Sequence, residues 1–133
     1  MIQCKRVYEA ASEADGCRIL VDRLWPRGLR KDRLALHAWL PEVAPSTAVR
    51  QAFGHRAERF EAFRQAYRAE LAARPEHWVG LLDKARQGRL TLLYAARDSR
   101  CNHAQVLAEW LEDALDRQQP GSSPVCYAGE RPD

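Results

Sequence analysis

Short apolar runs stand near the two ends of the chain, and stretches of helical period lie between them. "IQCKRVY" (Ile2 to Tyr8) reads as a strand, and the turn signal Asp15-Gly16 precedes a second one. That second run, "RILVDRLW" (Arg18 to Trp25), begins as unbroken apolar sequence, the pattern of a strand covered on both faces. It stops at "WPRG", where Pro26 and Gly28 suit positions i+1 and i+3 of a type I turn. A third apolar run, Leu90 to Ala96, ends as abruptly in the polar knot Arg97, Asp98, Ser99, Arg100, Cys101, Asn102, His103.

Between the second and third runs the period changes. Leu34 to Val43 fits both an alternating strand and a helical stripe, and Pro41 favours a short helix ending near Leu40. Ser46 is placed to cap a helix, and Phe60, Phe63, Tyr67 and Leu71 then fall three and four apart on one buried face. Pro75 opens a further helix that buries Trp78, Leu81, Leu82 and Ala85 and stops at Gly88, a suitable C′ residue. After the third strand, a helix from about Asn102 to Arg117 carries Ala104, Leu107, Leu111 and Leu115 inward.

Strands joined by a long helical stretch pair in parallel through a right-handed crossover. The expected fold is therefore α/β, a small three-layer-like domain with a short, largely parallel sheet and helices packed on it. The first two strands are joined too closely to fix their mutual orientation. Residues 1–117 make one domain. From Gln118 onward "QQPGSSPVCYAGERPD" is rich in breakers and reads as a mobile C-terminal tail.

Composition narrows the class. At 133 residues with 46% hydrophobic and 29% charged content, the chain has the balance of a globular domain. No apolar run is long enough to span a membrane, and "MIQCKRVYEA" has no signal-peptide core, so cytoplasmic residence is expected. Cys4, Cys17, Cys101 and Cys126 form no C-x-x-C pair and are expected as reduced thiols. Cys101 and His103 match no zinc-knuckle spacing, so neither a metal nor another cofactor is expected.

The net charge of +3 is mild, but Arg23, Arg27, Arg30, Lys31 and Arg33 crowd one segment. Arginine's planar fork suits phosphate and carboxylate, which makes this segment a candidate anion contact or, equally, a solvated loop.

If the strands Arg18 to Trp25 and Leu90 to Ala96 are parallel, both polar segments leave the same sheet edge, where open α/β sheets bind ligands. Asp22, charged at the end of an apolar strand, needs a partner and could clamp an arginine such as Arg23. Trp25 is either core or a stacking platform, and Arg27 and Arg97 are candidate ligand contacts. Asp98 could orient a base or cap its turn, and Asn102 with Gln105 resembles a capping box. His103 falls in the first helical turn, where the helix end disfavours added positive charge, so its imidazole is expected neutral near pH 7. It could serve as general base or donate to a bound anion. The catalytic candidates are thus His103 and Asp98, and the ligand-binding candidates Asp22, Arg23, Trp25, Arg27, Arg97 and Asn102.

Through "CKRVYEA", "DGCRILVDRLWPRGL", "LHAWLPEVAPST" and "LTLLYAARDSRCNHAQVLAEWL" the chain closely resembles the YeaO-like branch of the bacterial domain-of-unknown-function family DUF488. The likeness runs from Gln3 to Leu111, with "VDRLWPRG" and "LLYAARD…NHA" as its specific blocks. It implies a small bacterial cytosolic α/β protein and brings no activity with it. The wider family tends to show Cys-His-Arg where this chain has Asn102-His103-Ala104, so only the histidine is shared, and Cys101 is displaced by one position.

Two functions follow from the residues. One is a pocket for a small anionic or nucleotide-like ligand, able to support hydrolase or transferase chemistry if it catalyses anything. The other is a nucleic-acid-binding module using the arginine-rich loop 23–33, which the low overall charge and the lack of a reading motif disfavour.

Overall fold

The computed structural model describes residues 1–118, and residues 119–133, with the expected tail and Cys126, lie outside the described residues. Strands β1 (Ile2–Arg6), β2 (Cys17–Leu20), β3 (Ala38–Trp39) and β4 (Leu90–Tyr94) form one sheet in the order β1-β4-β2-β3. Every pairing is parallel, and β4 at the centre is buried along its whole length. The helices are α1 (Thr47–Phe53), α2 (Phe60–Ala73), α3 (Val79–Gln87) and α4 (His103–Gln118). The fold is a small α/β domain, and none of its described helices is long and apolar enough to cross a membrane.

The orientation left open between β1 and β2 resolves as parallel because β4 inserts between them. The link of residues 7–16 must then run back along the strands, and extended chain of about 3.3 Å per residue covers that distance easily. Gly16 closes the link with a φ of 65°, and a Cβ there would meet Arg89 O at 2.3 Å.

Alternation along the strands sorts the side chains onto two faces. Ile19, Val21, Leu90, Leu92 and Tyr94 join Phe63, Tyr67, Leu81, Leu107 and Leu111 in the helical core. Leu20 and Leu93 point the other way and, with Val7, are covered by Trp25, Leu29, Leu34, Leu36 and Trp39. The third layer is therefore loop, not helix.

This explains where Leu34 to Val43 departs from the expected short helix. His37 N–H donates to Arg18 O at 2.8 Å and Leu40 N–H to Leu20 O at 2.9 Å, so the segment satisfies the free edge of β2. Ala38–Trp39 becomes β3, and only Pro41–Val43 turns, as a 3-10 helix. A distant hydrogen-bonding edge outweighs local propensity here.

Smaller departures have local causes. The turn after β2 falls on Arg27–Gly28, one residue later than expected, and the φ of 79° at Gly28 suits position i+2 of a type II turn. Gly88 ends α3 in extended backbone and does not form a left-handed cap. Gln118, assigned to the tail from its composition, is instead the last residue of α4.

The amino-terminal end of the sheet is tied by charge. Asp15 lies 2.5 Å from Arg18 Nη1 and 3.1 Å from Lys5 Nζ, and both Asp15 and Arg18 are buried. Thr91 Oγ1 donates to Asp15 O at 2.6 Å, binding β4 into the same cluster. At the opposite end of the sheet the strands part.

Candidate anion groove at the carboxyl edge of the sheet

The opening begins where the β2–β4 ladder ends. Val21 N–H still donates to Leu93 O at 3.1 Å, but the next donor, Ala95 N–H, bonds to Asp22 Oδ2 at 3.0 Å. A side chain thus replaces the backbone partner, and the chains can part beyond it. Trp39 Nε1 donates to Asp22 O at 2.7 Å and fixes the same residue from the β3 side.

His103 meets this junction from α4. Its Nε2 lies 3.0 Å from Asp22 Oδ1 and 3.1 Å from Val21 O. The carboxylate expected to clamp an arginine is paired with the histidine. Arg23 instead donates through Nη2 to Ala44 O and Pro45 O, each at 3.2 Å, while its Nε is buried without a partner.

The polar knot before α4 is built by Asp98 and Asn102. Asp98 Oδ1 accepts from Cys101 N–H at 3.0 Å and Arg100 N–H at 2.9 Å, and those bonds hold its carboxyl below the usual value. Asn102 is 2% exposed, accepts from Gln105 N–H at 3.0 Å and donates to Asp98 O at 2.8 Å. Gln105 turns its own amide to Ser99 O, so only half of the capping box forms. Asn102 is an N-cap whose position orients His103. Cys101 packs against the helical core and is absent from the groove wall.

Trp25 has a mixed role. Its Nε1 donates to Leu29 O at 2.7 Å, and its ring meets Trp39 edge-on with centroids 5.5 Å apart, yet it also lines the opening. Lys31 sits 5.6 Å from both rings, and Arg30 pairs with Asp32, so part of the basic segment is spent within its own loop.

Together these residues wall an open groove of about 1140 Å³. Asp22, Arg23, Trp25, Arg27, Arg97, Asp98, Asn102 and His103 all line it. Arg6, Tyr8, Arg50, Phe53 and His55 line it as well, and sequence reasoning did not single them out. Arg6 stands at the same sheet edge because β1 is parallel to β4, the one orientation that remained open. Arg50 looks like any helical arginine. His55 follows the left-handed Gly54 and itself has a φ of 58°, a conformation uncommon for a residue with a side chain.

Five arginines (Arg6, Arg23, Arg27, Arg50 and Arg97) face two carboxylates, Asp22 and Asp98, across the groove. None of the five forms a salt bridge among the described residues, whereas Arg18, Arg64 and Arg68 elsewhere all do. Among the described residues the wall contains no serine, threonine, cysteine or lysine. It is cationic, partly aromatic, and without a side-chain nucleophile of those kinds.

The profile of a family described as the inactive DUF488-N3 subclade (DUF488-N3i) matches residues 1–128. The Escherichia coli K12 protein printed as "Uncharacterized protein YeaO" is 52% identical over 110 residues, covering 83% of this chain and 96% of its own. "Uncharacterized protein Mb3100c" of Mycobacterium bovis and "Uncharacterized protein Rv3073c" of Mycobacterium tuberculosis are each 40% identical over 114 residues. Those alignments cover 83% of this chain and 92% of each relative. No solved structure matches the chain.

Proposed function

Because the chain belongs to the DUF488 family, in the subclade described as inactive, we propose that its groove binds a small anionic, phosphate-bearing or nucleotide-like ligand without transforming it. The observation that carries this reading is the set of five arginines turned to one groove with no carboxylate partner among the described residues. Unpaired guanidinium groups on a concave surface attract an anion, and the forked N–H donors suit a phosphate.

The residues divide the work. Arg27 and Arg97 are exposed and free to close on a ligand, while Arg23 is held by two carbonyls and offers a fixed charge. The first turn of α4 supplies backbone N–H groups and the positive end of a long helix beside them.

The hydrolase or transferase form of the reading has less support, since among the described residues the wall lacks a serine, threonine or cysteine nucleophile and Asp98 Oδ1 already accepts from two backbone donors. His103 with Asp22 then serves binding. The nucleic-acid alternative is weakened by Arg30, which pairs with Asp32, and by Lys31, which sits over the Trp25 and Trp39 rings. Cytoplasmic residence belongs to the same reading, and the unbridged Cys4, Cys17 and Cys101 suit a reducing compartment.

Inorganic phosphate should raise the melting temperature by several degrees, since occupancy at about ten times Kd adds about 1.4 kcal/mol. Arg27→Ala should lose most of that shift. Differential scanning fluorimetry of both proteins across a phosphate series checks this, with chloride at matched ionic strength as control. Equal shifts in the two proteins would remove the groove as their cause.

A further inference from the structure

The hydrogen bonds around His103 assign its proton, and the assignment narrows the ligand. Nε2 faces Val21 O at 3.1 Å and Asp22 Oδ1 at 3.0 Å, two acceptors with nothing to donate. With a bare Nε2, lone pairs would oppose one another in a largely buried junction, so the proton sits on Nε2. Asp22 cannot turn away, because its Oδ2 is held by Ala95 N–H at 3.0 Å. In the neutral ring the lone pair is therefore on Nδ1. Nδ1 has no hydrogen-bond partner among the described residues and is not among the buried unpartnered atoms, and His103 lines the groove.

A fully ionised phosphate only accepts hydrogen bonds. It can satisfy the arginines but not Nδ1, which needs a donor. A groove of about 1140 Å³ also has room for far more than an inorganic anion. We infer that the ligand is a hydroxylated phosphate monoester, either a sugar phosphate or the ribose phosphate of a nucleotide, and that His103 Nδ1 accepts a hydrogen bond from one of its hydroxyl groups. This rests on the anion-groove reading and adds a specificity-determining residue to it. His103 then selects the organic part of the ligand while the arginines hold the phosphate.

Isothermal titration at about pH 8 compares methyl phosphate, ribose 5-phosphate and adenosine 5′-monophosphate. Ribose 5-phosphate should bind about five- to tenfold tighter than methyl phosphate, the worth of one added hydrogen bond. Tighter binding still of the nucleotide identifies a base contact, and equal binding identifies a sugar phosphate; either supports the inference. His103→Gln keeps a donor for Val21 and Asp22 but has no acceptor at the Nδ1 position, so the preference should collapse towards one. His103→Asn, which can place its amide oxygen near that position, should restore part of it and replaces the glutamine variant should that fail to fold. If methyl phosphate binds as tightly as ribose 5-phosphate, or the preference survives in His103→Gln, the inference is overturned and the anion groove stands. If none of the phosphates binds, the groove reading itself falls.

Discussion

An Asp15→Ala variant should lose about 3–5 kcal/mol of folding stability, the cost of removing one partner from a buried ion pair. The side chains of Asp15 and Arg18 are only 4% and 5% exposed, so Arg18 would keep its charge in a site that no longer answers it. Burial pushes the Asp15 carboxyl up, but the Ser12 N–H, Lys5 and Arg18 outweigh it and hold the group below its ordinary value. A carboxyl depressed in the folded state contributes stability above the unfolded pKa of about 3.9 and loses it as pH falls through the folded value. Urea denaturation at neutral pH should show the loss in the variant, and its stability should fall less steeply than wild type below about pH 4. An equally steep acid limb would mean that other carboxylates, such as Asp98, dominate that limb. Because Asp15 stands at the end of the sheet away from the groove, the phosphate response should survive at a temperature where the variant is folded.

The second large effect belongs to Asp22. Asp22→Ala strands Ala95 N–H at the end of the central strand and deprives His103 Nε2 of its carboxylate. One stranded donor costs about 1–3 kcal/mol, and the His103 ring keeps its hydrogen bond to Val21 O, so a loss of about 1–3 kcal/mol is expected. Asp22→Asn can still accept from Ala95 N–H and should recover about half of this. Hydrogen exchange at the Ala95 amide separates the contributions: fast exchange in the alanine variant and slow exchange in the asparagine variant are expected. Slow exchange in both would show that the carboxylate does not hold the strand end.

Much of this architecture is legible in the chain itself, and particular residues show why the rest is not. The apolar runs at Ile19–Val21 and Leu90–Ala96 end in charged knots, so a buried parallel pair with a polar edge could be read directly. The helical stripe of Phe63, Tyr67 and Leu71 and the cap at Ser46 are equally local signals, and both appear in the fold. Strand β3 is different. Two residues carry no periodicity, and what makes Ala38–Trp39 a strand is the unpaired edge of β2, distant in sequence. The junction of Asp22 with His103 is hidden for the same reason: nothing near either residue announces the other. Asp98 illustrates the converse. Its carboxylate looks like a partner for His103 on spacing alone, but two backbone donors in its own turn claim it first. Arg6 and Arg50 reach the groove only through the register of β1 and the placement of α1, which no local pattern reveals.

We propose that the arginine-lined edge of the sheet is where a phosphate-bearing ligand sits. It is tested most directly by following the backbone amides by NMR while inorganic phosphate is added at constant ionic strength. Saturable shifts are expected, concentrated at Arg23, Arg27, Arg97, His103 and Ala104, around the groove and the first turn of α4. Shifts that never saturate, or that spread equally over Arg59, Arg86 and Arg117 on other surfaces, would contradict it.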